Sequence, residues 1–176
     1  MNNNELKSAA RKIKELGEEV RKHLGCGFNE SVYQNALAIE FRRHKIEYLM
    51  EVNIEVFYKN ESVGEDRPDF VLTKVGRHKS PIILELKASD AISDNHRMQL
   101  LSYCKSLPRN NNPVLKDFSG GIVLAFPSGD LDDATDVKIF VVDRNFKLLI
   151  DEQFEEDEQE RKEKEAKKLQ NMKIKK

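Results

Sequence analysis

Cysteine is scarce: the 176 residues hold only two, Cys26 and Cys104. They lie far apart and show no metal-ligand spacing, so neither a disulfide framework nor a zinc cluster is expected. The four histidines, His23, His44, His78 and His96, are scattered, which argues against a zinc site built on histidine. No apolar run approaches the roughly 20 residues that a membrane-spanning helix needs. Residues 1–6 are polar and lack an apolar signal region, so the expectation is an intracellular protein, cytoplasmic or nuclear, with no membrane partner. A charge of one sign is missing too. Lys and Arg total 30, Asp and Glu total 31, and the net charge is -1. The C-terminal segment does not mask a basic remainder: residues 151–176 carry nine acidic and eight basic side chains, and removing them leaves 22 of each sign. A polyanionic partner would therefore be met by a local patch and a bound metal, not by overall charge.

What is present fits one folded domain over residues 1–150 with a charged segment, 151–176, behind it. In that segment Leu169, Met172 and Ile174 are too sparse for a coiled-coil seam, so a solvated helix or disordered tail is expected. Leu6, Ala9, Ile13, Leu16, Val20 and Leu24 recur at helical spacing, and the Gly25-Cys26-Gly27 run ends that helix. Asn29 is placed to cap a second helix reaching about Lys45, with Glu30 in its first turn and Tyr33, Leu37 and Phe41 on one face. Three strands are predicted next: around Val52, Ile54 and Val56, then over 67–72 after a turn at Lys59-Asn60-Glu61, then over 82–87. A helix capped by Ser93 or Asp94 carries Leu100, Tyr103, Cys104 and Leu107. Residues 108–118 read as a polar loop. Residues 120–126 form an apolar strand buried on both faces, and 137–142 another strand. A sheet flanked by helices is the natural solution, an α/β fold.

The strand over 82–87 carries the anomaly. Side chains alternate along a strand, so Ile83, Glu85 and Lys87 share a face opposite Ile82, Leu84 and Leu86. A carboxylate and an ammonium on an apolar strand lose hydration and must be paired or bound. Asp69, on the preceding strand, can lie beside Glu85. Two clustered carboxylates repel and ask for a cation, and all-oxygen ligation suits Mg2+ or Mn2+. Lys87 would then reach a metal-bound water or a phosphate oxygen, which supports metal-assisted phosphodiester hydrolysis. The same residues also satisfy a simpler arrangement, with Glu85 and Lys87 a structural ion pair on an edge strand and Asp69 a turn residue.

Arg67-Pro68-Asp69 followed by Glu85-Leu86-Lys87 resembles the PD-(D/E)XK nuclease superfamily. Gly27-Phe28-Asn29-Glu30-Ser31-Val32-Tyr33 resembles the signature of its GxxExxY branch, with Leu24-Gly25 before it and Ala36-Leu37 and Glu40 after it. Ile83-Leu84-Glu85-Leu86-Lys87-Ala88 and the Gln99-Leu100-Leu101-Ser102-Tyr103 stretch add to the likeness, which covers roughly 16–126. It departs at Cys26, where the family commonly has proline, in the longer 108–118 loop, and at Ala125-Phe126-Pro127 in place of asparagine-phenylalanine-glycine. The resemblance implies a restriction-endonuclease-like αβββαβ core with a mixed sheet, here with an extra N-terminal helix. It makes Asp69 and Glu85 metal ligands and Lys87 the catalytic lysine. It also places Glu30, Gln99 and Tyr103 near the site. Glu30 would equally serve as a first-turn acid favouring the helix dipole. Gln99 and Tyr103, at i and i+4, would equally serve the backbone and the core. Arg67 would contact phosphate or act as a structural partner of the carboxylates.

The function expected is a magnesium-dependent nuclease acting on DNA, with a homodimer as a possible state. Two other readings stand beside it: a catalytically silent nuclease-fold module binding nucleic acid or a protein, and a structural interaction protein.

Overall fold

The structure, a computed structural model, describes residues 3–129, 136–153, 158, 159 and 162. The apolar repeat of the N-terminus forms α1 (Asn3–Leu24), which buries Leu6, Ala9, Ile13, Leu16 and Val20. Gly25, at φ 86, ends it, and its N–H returns to the Arg21 carbonyl at 2.8 Å. A glycine can adopt this left-handed geometry without a Cβ penalty. Next comes α2 (Glu30–Arg43). Asn29 has the extended backbone of a cap, but its side chain makes no capping bond. The helix stops before Lys45, which sits at φ 56.

The chain continues through β1 (Glu47–Met50), β2 (Ile54–Tyr58), β3 (Glu61–Asp66), β4 (Phe70–Lys74) and β5 (Ile82–Ala88). After α3 (Asp94–Ser106) and the short α4 (Pro113–Lys116) come β6 (Gly120–Phe126), β7 (Lys138–Asp143) and β8 (Leu148–Asp151). Six strands form one sheet in the order β1-β4-β5-β6-β7-β8. Only the β5–β6 pair is parallel; the other neighbours are antiparallel. The parallel pair needs a crossover, and α3 supplies it.

Both sheet faces are covered. Phe70, Leu72, Ile82, Leu84, Leu86, Ile122 and Leu124 pack with α1 and α2. Val71, Ile83, Val123 and Ala125 pack with Leu100, Tyr103 and Cys104 of α3. The alternation of β5 is thus resolved by two cores, one on each side of the sheet.

Several strand assignments differ from the sequence reading. The first core strand is β1, a short edge with only Tyr48 partly buried, so its hydrophobic alternation is weak. The Ile54–Val56 alternation does form a strand, but it pairs with β3 as a separate hairpin. Lys59 and Asn60 turn that hairpin with φ of 50 and 77, the backbone of a tight two-residue connection. Glu51, at φ 51, separates β1 from it. β3 is exposed along its whole length, so no apolar face announces it. The second core strand begins at Phe70 instead of Arg67. β8 also went unanticipated, because four residues show little alternation.

The 108–118 segment is more ordered than a polar loop. Pro108 lies in a 3-10 turn, and Asn112 caps α4 by accepting from Val114 N–H at 3.0 Å. Leu107, Leu115 and Phe118 anchor the segment in the α3-side core. At the far end, Arg97 pairs with Asp151 at 3.0 Å and Lys14 with Glu152 at 3.0 Å, so 151–153 packs on the domain. Beyond it, the expected helical or disordered tail lies outside the described residues except at 158, 159 and 162. Among the described residues no helix is long and apolar enough to cross a membrane.

Candidate active site

β5 is buried from Ile82 to Leu86, and Glu85 is only 4% exposed. Its side chain shares the α3-facing side with Ile83 and Lys87. Asp69 directly precedes β4, whose Phe70 pairs with Leu84. Continuing that antiparallel register by one residue sets Asp69 opposite Glu85. The Asp69 carboxylate is then held in place: its Oδ2 accepts from Leu86 N–H at 2.7 Å. On α2, Gln34 donates to the Asp69 carbonyl at 3.3 Å.

Lys87 Nζ donates to Glu85 Oε1 at 2.8 Å and lies 3.7 Å from Glu30 Oε1. Glu30 is the first residue of α2, so the packing of that helix on the sheet delivers its carboxylate to Lys87. Its role as a first-turn acid and its place at the site are compatible.

The electrostatic balance is negative. Burial pushes the Glu85 carboxyl up to about 7; the Lys87 hydrogen bond opposes this, and the Asp69 charge adds to it. Asp69 is also raised, by burial first and by Glu30, against the Leu86 hydrogen bond and Lys87. Burial alone would lower Lys87, but the hydrogen bond and charge of Glu85, with Glu30 and Asp69, raise it instead. One ammonium faces three carboxylates.

α3 forms the opposite wall. Gln99 Nε2 donates to Tyr103 Oη at 2.6 Å, and Tyr103 is 3% exposed. Burial and the Glu85 charge push its phenol up to about 12, so it stays a neutral hydroxyl. Tyr103 therefore belongs to the core and also borders the carboxylates. Arg67 is different: it is exposed, has no hydrogen-bond or ion-pair partner among the described residues, and is not among the charges acting on Asp69 or Glu85. It lies in the segment between β3 and Asp69.

Two residues here went unmarked in the sequence reading. Gln34 stands at i+4 from Glu30 and His96 at i−3 from Gln99, so helical spacing from residues already chosen could have found both.

A divalent cation suits this donor set. Glu85 Oε2 is buried with no hydrogen-bond partner, a costly state for a carboxylate oxygen that a cation would relieve. Among the described residues no group of three or more His, Cys, Asp or Glu side chains encloses a metal. The site is instead a pair of carboxylates, Glu85 buried and Asp69 partly exposed, and ions of the magnesium type are held by few protein ligands while retaining water.

Residues 7–125 match the sequence profile of the PD-(D/E)XK nuclease superfamily, and the chain belongs to that superfamily. No curated protein and no solved structure matches. The mixed six-stranded sheet flanked by helices is the restriction-endonuclease-like architecture of the superfamily.

Proposed function

We propose that this chain is a metal-dependent phosphodiesterase of the GxxExxY branch that cleaves nucleic acid, with DNA as substrate and Mg2+ or Mn2+ as the ion. One observation carries the reading. Asp69 and Glu85 meet across antiparallel strands beside Lys87, with a buried Glu85 oxygen left unpartnered.

Asp69 and Glu85 would hold the ion. When bound, a divalent ion lowers the pKa of a water and offsets charge building on the phosphoryl group. The protein's own groups do the rest. Lys87, steadied between Glu85 and Glu30, presents an ammonium to a water or to a phosphoryl oxygen, where charge develops. Leu86 N–H and Gln34 fix Asp69 through its carboxylate and its carbonyl. Gln99 and Tyr103 line the far wall as neutral hydrogen-bonding groups, and exposed Arg67 is available to a neighbouring phosphate. A homodimer would bring a second site to the opposite strand of a duplex.

The near-neutral charge favours one competing reading, a catalytically silent module that binds nucleic acid or a protein. A cleavage assay on single- and double-stranded DNA and RNA, with magnesium, manganese or chelator, separates the two. Metal-dependent cleavage that disappears in Asp69→Asn and Glu85→Gln supports the proposal. Binding without cleavage under every metal condition, or full activity in either variant, overturns it.

A further inference from the structure

The first turn of α3 holds a histidine that the reaction as described does not use. Ser93 N–H donates to His96 Nδ1 at 3.2 Å, and Ser93 Oγ accepts from His96 N–H at 3.4 Å. This reciprocal capping box fixes the side-chain rotamer. It also fixes the tautomer: with Nδ1 accepting, the ring hydrogen sits on Nε2. A second proton would have to go on Nδ1 and would confront the Ser93 N–H, so the cap holds the ring neutral. Nε2 has no partner among the described residues.

Position gives this donor its meaning. His96, Gln99 and Tyr103 follow i, i+3, i+7 spacing and line one side of α3. The Tyr103 end of that line borders Glu85. At the His96 end, the half-buried ring is within electrostatic reach of Lys87, Glu30 and Arg97; burial first, then the two cations, lower its pKa against the opposing Glu30 charge. The line of α3 polar groups thus runs past both site residues of β5.

We propose that His96 is a substrate-binding residue, with Nε2–H donating to a non-bridging oxygen of the phosphodiester seated beside Lys87. The inference rests on the phosphodiesterase reading. A neutral donor contributes a hydrogen bond to the anion without adding a cation that would compete with metal binding.

Two substitutions separate this role from the cap. In His96→Gln, Oε1 can still accept from Ser93 N–H while Nε2 donates, so cap and donor both survive. In His96→Glu, the cap survives and the donor is lost. His96→Ala removes the donor and the side-chain half of the cap, leaving the backbone N–H of residue 96 on Ser93 Oγ. Binding of a fluorescent single-stranded oligodeoxynucleotide is measured by anisotropy in calcium, with thermal melts run in parallel. The expected result is near-wild-type affinity for His96→Gln and about tenfold weaker binding for His96→Ala, the scale of one hydrogen bond to a charged group. His96→Glu should melt like His96→Gln but bind at least as weakly as His96→Ala. With the matching methylphosphonate oligomer, whose linkages are uncharged, His96→Ala and wild type should bind within about twofold, because the anionic acceptor is gone. Equal DNA affinity in all four proteins overturns the proposal, as does a His96→Ala loss that persists undiminished on methylphosphonate. A wild type that neither binds nor cuts nucleic acid sinks the phosphodiesterase reading itself, and this inference with it. A wild type that cuts normally while the variants match it sinks the His96 role alone.

Discussion

Glu85 is the residue at which the fold and the proposed chemistry oppose each other. Its carboxyl ordinarily titrates near 4.5 and is pushed up to about 7 in the folded protein. Between those values the folded state binds more protons than the unfolded state, so unfolding free energy must fall as pH rises through that window. Asp69 is shifted in the same direction and adds to the effect. Lys87 is raised from 10.5 and so acts only in the alkaline range. In chelator the two carboxyls should therefore cost the protein on the order of 2 kcal/mol of stability between about pH 4.5 and pH 7, offset in part by His78 and His96, whose pKa values are lowered from 6.5 and whose contribution rises with pH below that value. Urea unfolding across that range measures it, and Glu85→Gln should flatten the profile. A wild-type profile parallel to that of Glu85→Gln would contradict the assigned burial of Glu85. Lys87 makes a different prediction. Lys87→Ala should lower turnover by about 10²–10³-fold, as for a lost transition-state donor, while metal affinity stays within about tenfold. Because the variant also strips Glu85 of its 2.8 Å partner, affinity should be compared well above pH 7, where the carboxylate is ionised in both proteins. Normal turnover would leave Lys87 a structural residue.

At the scale of elements, the site depends on how closely α3 approaches β6. A Cβ on Gly121 would stand 2.8 Å from Leu100 Cδ1 and 3.0 Å from Cys104 Sγ. Gly121→Ala should force the helix away and cost about 1–3 kcal/mol, as overpacking does. Gly64, in the exposed hairpin, has open space around it, so Gly64→Ala should leave the melting temperature nearly unchanged. Equal melting of the two variants would show that the α3–β6 contact is looser than described. The same elements show what the sequence made legible. α1, α2, β5, α3 and β6 stood out because each has a strong apolar period or an unbroken apolar run, and these elements carry Glu30, Glu85, Lys87, Gln99 and Tyr103. β1 and β3 did not, because their side chains are mostly exposed and lose the period-two signal, and the four residues of β8 are too few to show one. Asp69 could be proposed as a neighbour of Glu85. Its bond to Leu86 N–H depends on strand register, which a single sequence does not encode. The capping-box histidine was hidden for another reason: its partner is a backbone amide, and backbone partners leave no mark in composition.

For the molecule as a whole, the cluster of Asp69, Glu85 and Glu30 around one lysine implies that the metal-free fold carries excess negative charge. Asp69→Asn removes one charge while its side-chain oxygen can still accept from Leu86 N–H, whereas Asp69→Ala would orphan that amide at a cost of about 1–3 kcal/mol. In chelator Asp69→Asn should thus be as stable as wild type or more so. At metal concentrations about a hundred times the dissociation constant, wild type should gain about 2.7 kcal/mol and Asp69→Asn only a small part of it. Paired melting curves with chelator and with manganese test both statements. Equal gains in the two proteins, or a strongly destabilised Asp69→Asn in chelator, would return Asp69 to a purely structural role. The hairpin of β2 and β3 carries a consequence of another kind. It stands outside the six-stranded sheet, and its Lys59–Asn60 tip is exposed. Chain added at that tip adds only to a surface loop, the kind of place where insertions are tolerated. The hairpin then leads through Asp66 and Arg67 directly into Asp69. A tag spliced between residues 59 and 60 should accordingly leave the melting temperature of the domain nearly unchanged.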